Sequence, residues 1–318
     1  MTGRLLHNPK ETAMNINLLS STSLALTCAL LATAAHADQP VTINFAAEIG
    51  GKPFSCAESY DGLGAANTTV TGTDYRLFIH DAALVRADGG VQPITLDQDG
   101  KWQLESLALL DFEDGSHGCS GSGNADLNTS LRGTVPAGDY IGLTFTLGVP
   151  FDQNHIDPTL SPAPLNTTGM FWNWQNGFRF VRIDMVPVAE DMGGMAHGSD
   201  TAAQGGEAGH GEHGAASGWF LHLGSTQCAA ESRTEAPSAC ANPNRVTVTF
   251  TDFDPASQVV VIDPAPVVAG ADLTVNAPDT SPGCMSFPGD SDCNTVMSRL
   301  GLPFDGIPAG EQLVLSVR

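Results

Sequence analysis

The most chemically distinctive stretch of the sequence places a methionine and two tryptophans at alternate positions, Met170, Trp172 and Trp174. In a β-strand, alternate side chains point to the same face, so these three would form a row with a spacing of roughly 7 Å. A thioether is a soft metal ligand, and an indole is readily oxidised. A plain core strand needs neither property, although core packing is the simpler explanation for two tryptophans. The row predicts either a packed strand or a metal and redox site.

Two histidines could complete such a site. His155 lies in a loop that follows a predicted strand, and His222 ends a short strand before a cysteine. Imidazole and thioether together suit copper, because Cu(I) prefers soft, low-coordinate sites. A single loop histidine is more often simply solvated, so neither residue identifies a site by itself. His80, within a strand, and His117, in a Gly/Ser turn, are weaker candidates.

A second group of possible ligands lies in residues 190–217, a segment rich in Gly, Ala, His, Met and acidic residues. It has no periodic pattern and is long for a loop, which predicts a flexible insertion. Its thioethers and imidazoles either bind additional copper weakly or are incidental to a surface linker. These auxiliary candidates are Met192, Met195, His197, His210 and His213.

The first residues predict a secretory signal. An apolar run from Leu18 to Leu31 precedes Ala35-His36-Ala37, a small-x-small cleavage site, so we expect cleavage after Ala37. The run is too short to span a membrane. Residues 1–37 are thus a signal peptide with an N-terminal extension, and residues 38–318 are predicted to form a single exported domain, periplasmic in location.

The predicted mature chain is strongly acidic, with 11 basic and 34 acidic residues and a net charge of −23. Only Lys52 and Lys101 remain as lysines. Such a surface repels nucleic acid and anionic lipid, and it keeps an exported protein soluble. A cationic partner remains compatible with this charge, whereas a nucleic-acid-binding function is not expected.

Six cysteines remain after the predicted cleavage, and an even number in an exported protein implies disulfides. Proximity in the sequence favours Cys228–Cys240 and Cys284–Cys293, which leaves Cys56–Cys119 as the long-range bond. The alternative is thiolate metal binding, but the chain has no C-x-x-C pair.

Alternating apolar and polar residues predict an all-β fold, a disulfide-stapled β-sandwich with long loops and little helix. One short helix is expected over Asp292–Leu300, ending at Gly301. A strand begun at Met170 is expected to continue through Phe178–Met185, with a bend at Gly177. The other predicted strands are Val41–Ile49, Tyr75–Val85, Tyr140–Leu147, Arg245–Phe253, Gln258–Ile262 and Leu313–Val317.

No enzyme motif is specific in this sequence. Gly121-x-Gly123 is not followed by a helix, and the acidic run at 97–100 lacks the later ligands of a calcium loop. The chain has no G-x-S-x-G motif. We therefore expect a protein that is not an enzyme.

Several stretches together resemble one family. They are N-H-x-D-P at 154–158, P-L-N-x-T-x-M-F-W-N-W-Q-N-G-F-R-F-V-R-I-D at 164–184, H-L-G-S-T-Q-C at 222–228, P-N-R at 243–245 and P-G-C-M-S at 282–286, followed by Cys293. This pattern resembles the MbnP-like proteins, also called metallo-mystery pair four-Cys motif proteins. The resemblance spans most of the predicted mature chain but not the insertion.

The resemblance implies an exported copper protein that is the substrate of a partner enzyme. The partner is a MauG-type di-haem cytochrome c peroxidase (MbnH-like), which oxidises the first tryptophan of W-x-W to kynurenine. Carried over to this sequence, Trp172 is the oxidised residue and Trp174 its unmodified neighbour. The mature protein would then bind one Cu(I), with His155, Met170 and His222 as ligands beside the modified Trp172.

A different class of function is also compatible with the same residues. Trp172 and Trp174 could form a stacking surface on an exported β-sandwich that recognises carbohydrate or protein. That hypothesis requires both indoles to be open to solvent and unmodified, and it requires no copper.

Overall fold

A computed structural model describes residues 37–121, 123, 125–188, 218–232 and 234–318. The predicted signal segment up to His36 lies outside the described residues. The same holds for the predicted insertion and its auxiliary ligands, Met192, Met195, His197, His210 and His213.

Strands dominate the described part of the chain, and helices are few and short. The strands are β1 Asp38–Ile49, β2 Lys52–Pro53, β3 Ser59–Leu63, β4 Thr68–Arg86, β5 Val91–Pro93, β6 Thr95–Leu96, β7 Gln103–Leu104, β8 Leu107–Asp111, β9 Ser130–Pro136, β10 Tyr140–Leu147, β11 Phe171–Asn173, β12 Gly177–Pro187, β13 Trp219–Gly224, β14 Thr226–Cys228, β15 Cys240–Asn242, β16 Val246–Phe250, β17 Val259–Ile262 and β18 Leu315–Val317. The α-helices are α1 Phe151–Asn154, α2 Ala265–Val268 and α3 Asn294–Arg299, and 3-10 turns span His117–Cys119, Thr168–Met170 and Ser291–Cys293.

The strands form two main sheets, which confirms the predicted β-sandwich. The smaller sheet has the order β18-β17-β1-β9-β6, with β2 added to β1. The larger sheet has the central order β11-β12-β4-β10-β16, with β13 on β12 and with β3, β5 and β8 on β4. A separate pair, β14 and β15, carries one of the disulfides.

The two sheets bury their apolar faces against each other. Alternate residues of β1 point inward, and the ring of Phe45 meets that of Phe145 edge-on at 5.9 Å between centroids. Tyr75, which is fully buried, donates its hydroxyl to the carbonyl oxygen of Ile262 at 2.7 Å and so ties β4 to the opposite sheet. Removing a buried aromatic ring of this kind typically costs about 3–5 kcal/mol.

The sequence-based pairing of the cysteines is confirmed. The structure contains the disulfides Cys56–Cys119, Cys228–Cys240 and Cys284–Cys293. The predicted short helix is also present, as the 3-10 turn before α3 followed by α3 itself, and it ends before Gly301.

No helix within the described residues is both long and apolar enough to cross a membrane.

The predicted strand running from Met170 into β12 is wrong. Met170 ends a 3-10 turn, β11 is only three residues long, and the chain then reverses into β12 to form a tight antiparallel hairpin. Met170, Trp172 and Trp174 therefore do not lie in one row on one strand.

Two local features close this hairpin. The side-chain oxygen of Asn173 accepts a hydrogen bond from the backbone N–H of Asn176 at 2.9 Å, an arrangement that stabilises a turn. Gly177 then adopts a φ of 77°, which glycine tolerates and other residues rarely adopt. A Cβ there would also lie 2.3 Å from the carbonyl oxygen of Asn154, so the close approach requires glycine.

Candidate metal centre

Charged side chains lie in register across three strands of the larger sheet. Arg182 of β12 lies opposite Arg76 of β4 on one side and opposite His222 of β13 on the other, and Asp184 lies opposite Asp74. Directly opposed residues project to the same face of a sheet. Asp74 accepts from both arginines, and Arg182 also contacts Asp184 through its Nη2 at 2.9 Å. These buried charges are thus paired, as charges in a protein interior must be.

His222 stands at the edge of this charged row. Its side chain is buried, and its Nε2 lies 2.6 Å from Oδ1 of Asp184. An ionised carboxylate only accepts, so Nε2 carries the proton and Nδ1 has the free lone pair. Nδ1 is buried and has no hydrogen-bond partner among the described residues. A histidine that ligates a metal typically has this arrangement, with its other nitrogen held by a carboxylate.

The electrostatics keep this imidazole in its metal-binding form. Burial lowers the pKa of His222 below its ordinary value despite the opposing effect of Asp184. Burial raises the pKa of Asp184, but the hydrogen bond with His222 and the charge and hydrogen bond of Arg182 outweigh that effect and lower the pKa. His222 is therefore neutral near pH 7 and Asp184 is ionised, which is the pairing that metal binding requires.

The indole of Trp172 lies next to His222. The ring centroids of the two residues are 6.4 Å apart, and the ring of Phe287 is 5.5 Å from that of Trp172. The guanidinium of Arg179 is 5.5 Å from the indole centroid, and the indole lies against the backbone of Gly224. Trp172 is half-buried, so it is enclosed by its neighbours without being cut off from solvent.

The segment that carries Phe287 is fixed to β13 through the backbone of His222. The N–H of His222 donates to the carbonyl oxygen of Cys284 at 2.9 Å, and the hydroxyl of Ser286 donates to the carbonyl oxygen of His222 at 2.9 Å. Cys284 is also held by its disulfide to Cys293, so the segment that places Phe287 against the indole is anchored at both ends.

Two arginines attach the 3-10 turn before β11 to the sheet. The carbonyl oxygen of Gly169 accepts from Nη1 of Arg179 at 2.9 Å and from Nη1 of Arg182 at 3.1 Å. Nε of Arg179 is buried without a partner among the described residues. Burial, together with the neighbouring Arg182, lowers the pKa of Arg179 to about 10. Arg179 thus combines a guanidinium close to the Trp172 ring with one buried donor that has no partner among the described residues.

Gly224 is the position at which the placement of the indole is most easily tested. A Cβ on Gly224 would lie 2.4 Å from Cζ3 of Trp172 and 3.0 Å from the carbonyl oxygen of Phe178. We expect Gly224→Ala to displace the indole, to shift its fluorescence and to lower the free energy of unfolding by about 1–3 kcal/mol. Gly138→Ala is the matched control, because its Cβ makes only ordinary contacts. Identical emission spectra for the two variants would contradict this placement.

The other predicted ligands have different surroundings. Nδ1 of His155 lies 3.1 Å from the carbonyl oxygen of Trp174, so His155 holds the hairpin turn. Met170 is fully buried within the apolar core. Trp174 is half-buried and meets the ring of Phe171 edge-on at 6.3 Å. The structure thus brings Trp172 and His222 together, while His155 lies against the turn and Met170 lies in the core.

Three residues of this site were missed by the reasoning from sequence, namely Asp184, Arg179 and Gly224. The available signal was the presence of three charged residues, Arg179, Arg182 and Asp184, in the mostly buried and otherwise apolar strand β12, since charges on such a strand require partners. His222, in the following strand β13, is a residue type that can pair with the carboxylate of Asp184.

A second group of ligand atoms lies beside the turn. Among the described residues, His155, Cys228 and Cys240 form the group of His, Cys, Asp or Glu side chains whose ligand atoms all lie within 4.8 Å of one another. The two sulfurs are joined in a disulfide, so in this state they are not thiolate ligands.

Comparison with known proteins identifies the family. The MbnP family profile matches residues 38–286, a region that includes His155, Trp172 and His222. The solved structure of MbnP from Methylosinus trichosporium is similar to this chain, with a TM-score of 0.72 and 33% sequence identity over 88% of this chain and 98% of that chain. None of the curated proteins matches the chain significantly. The chain belongs to the MbnP family.

Proposed function

We propose that this protein is an exported Cu(I)-binding protein of copper homeostasis whose site is matured by oxidation of Trp172 to kynurenine. The observation that carries the proposal is the buried Nδ1 of His222, which has no partner among the described residues and lies in the ring that neighbours Trp172. Leaving such a nitrogen without a partner costs about 1–3 kcal/mol, and a metal ion would remove that cost. Membership of the MbnP family supports a metal-related role.

The proposed donor types favour copper in its reduced state. His222 would supply an imidazole nitrogen, and the resemblance adds the second imidazole of His155 and the thioether of Met170. Soft and borderline donors of this kind favour Cu(I) over oxygen-seeking cations such as Ca²⁺ or Mg²⁺. Asp184 would orient His222 and raise its basicity as a ligand through the Nε2 hydrogen bond.

The oxidation of Trp172 would add oxygen donors to the site. A peroxidase partner would use two molecules of hydrogen peroxide, which are reduced to water, to cleave the C2–C3 bond of the indole and give N-formylkynurenine. Hydrolysis then releases formate and leaves kynurenine, which has an aryl ketone and an arylamine. This chain would be the substrate of the reaction and not the enzyme. Arg179 has a buried donor next to the ring, where a new carbonyl could accept a hydrogen bond.

The proposed location is the periplasm. Three disulfides form and persist in an oxidising compartment and are rare in a reducing one. The signal sequence expected over residues 1–37 is consistent with the same compartment.

The maturation can be tested by mass spectrometry. We expect the peptide that contains Trp172 to lose one carbon atom and gain one oxygen atom when the protein is produced together with a MauG-type di-haem peroxidase. Fragmentation should place the change on Trp172 and leave Trp174 unchanged, and one copper ion per chain should accompany it. Protein produced without the peroxidase is the control and should contain an intact indole. Copper-loaded protein with an unmodified Trp172 would contradict the maturation step.

The alternative hypothesis, a stacking surface made of Trp172 and Trp174, receives less support from the structure. Such a surface needs open ring faces. The indole of Trp172 is instead enclosed by Arg179, Gly224 and Phe287, and both indoles are only half-exposed.

A further inference from the structure

The disulfide Cys228–Cys240 lies beside a histidine nitrogen. Nε2 of His155 is 3.7 Å from Sγ of Cys240, and the ligand atoms of all three residues lie within 4.8 Å of one another. In a tetrahedral site with metal–sulfur distances of about 2.3 Å and metal–nitrogen distances of about 2.0 Å, the nitrogen and a sulfur are separated by about 3.5 Å. The nitrogen is therefore already near the distance that a shared metal ion requires.

The orientation of His155 directs a lone pair toward the sulfurs. A backbone carbonyl can only accept, so the contact between Nδ1 and the carbonyl oxygen of Trp174 places the proton on Nδ1. Nε2 of the neutral ring is then an acceptor. In the structure, Nε2 of His155 lies 3.1 Å from the side-chain amide nitrogen of Asn154, which can donate to it. A metal ion would replace that one neutral hydrogen bond.

The backbone would keep the two cysteines together after their bond is broken. Cys228 and Cys240 are directly opposite each other in the β14–β15 ladder, and Thr226 pairs with Asn242 in the same ladder. The amide of Asn242 also donates to the hydroxyl of Thr226 at 3.2 Å. Reduction would therefore open the sulfur–sulfur bond without separating the strands that carry the thiols.

Of the three disulfides, this one is the most accessible to a reductant. Cys240 is partly exposed, whereas the cysteines of the other two disulfides are at most 5% exposed. Thiol–disulfide exchange depends on access of the attacking thiolate to a sulfur. A dithiol should therefore reduce Cys228–Cys240 first.

We propose that reduction of the Cys228–Cys240 disulfide creates a second metal site, in which the two thiolates and Nε2 of His155 bind a thiophilic cation such as Cu(I) or Zn²⁺. A dithiol transfers two electrons and two protons to the protein disulfide and becomes a cyclic disulfide itself. The cation then displaces the two thiol protons, which pass to solvent. This site includes neither Trp172 nor His222 and does not depend on kynurenine, but it uses the same Nε2 of His155 that the resemblance assigns to the copper site, so the two metal ions would compete for that nitrogen.

The test uses Cd²⁺ as the probe and the mature chain produced without a peroxidase, so that Trp172 remains an indole. After limited treatment with a dithiol, alkylation mapping should find Cys228 and Cys240 as the free thiols. We expect one Cd²⁺ per chain, the ultraviolet charge-transfer absorption of cadmium thiolates, and a shift of the His155 ring-nitrogen NMR signals. None of these should occur before reduction.

Variants separate the proposed ligands from incidental thiols. Cys228→Ser combined with Cys240→Ser should abolish the absorption, and His155→Ala should weaken Cd²⁺ binding by at least roughly tenfold. His117→Ala is the matched control, because His117 lies beside Cys119 of another disulfide and should bind Cd²⁺ as the parent does. Unchanged affinity in His155→Ala, unshifted His155 signals in the parent protein, or earlier reduction of another disulfide would overturn the proposal.

Discussion

Replacement of Trp172 by phenylalanine should abolish kynurenine formation and reduce copper in the isolated protein from one ion per chain to a trace. Phenylalanine has no indole C2–C3 bond for the peroxidase reaction to cleave, so no carbonyl or arylamine donors can form. The smaller ring still packs against Phe287 and Gly224. The free energy of unfolding should therefore fall by less than the roughly 3–5 kcal/mol of a full truncation. The measurements are metal analysis and mass spectrometry of protein produced with the partner peroxidase.

Trp174→Phe is the matched control for this experiment. Trp174 lies in the same hairpin and is half-buried like Trp172, but its ring meets Phe171 and not His222. We expect this variant to retain both kynurenine at position 172 and stoichiometric copper. Full copper occupancy in Trp172→Phe, or equal loss in both variants, would show that the modified residue is not part of the metal site.

Much of the fold was predictable because its signals are local. Alternation of apolar residues gave the positions of β1, β4, β10 and β12, since one face of each of these strands packs against the core. The disulfides Cys228–Cys240 and Cys284–Cys293 followed from loops short enough to bring their ends together. The third bond then followed by elimination.

The error at Met170 has an equally physical origin. Large side chains at alternate positions indicate a single strand. That pattern gives no information about the turn, which is closed by the side chain of Asn173 and by contacts with Asn154. Asn154 accepts from the N–H of Phe178 at 2.8 Å, although the two residues are 24 positions apart. Such long-range contacts cannot be read from local periodicity.

The candidate site depends on long-range register in the same way. His222 was identified from its position in a motif, whereas its partner Asp184 lies 38 positions earlier and meets it only because β12 and β13 pair. The free nitrogen of His222 is likewise a property of the assembled sheet. The sequence thus singled out Trp172 and His222, but neither their neighbours Asp184, Arg179 and Gly224 nor the role of each nitrogen could be predicted from it.

Replacing His222 by alanine should abolish copper binding at the main site even when the indole can still be oxidised. The variant removes the imidazole with the unpartnered Nδ1, while Asp184 keeps its contact with Arg182.

Asp184→Asn should have a smaller effect than His222→Ala. We expect it to weaken copper affinity by roughly 10–100-fold, because the imidazole remains but loses the carboxylate that orients it. Copper titration with a competing chelator measures both effects on protein whose Trp172 has been matured.

His80→Ala is a close control for His222→Ala. His80 is also buried, its Nδ1 lies 2.8 Å from Oδ2 of Asp81, and its Nε2 likewise has no partner among the described residues. The two histidines therefore share burial, a carboxylate partner and a free nitrogen, but the ring contact with Trp172 belongs to His222. If a free nitrogen beside a carboxylate were sufficient, both variants would lose copper. If proximity to Trp172 decides, as we expect, only His222→Ala loses it and His80→Ala binds copper with the affinity of the parent protein.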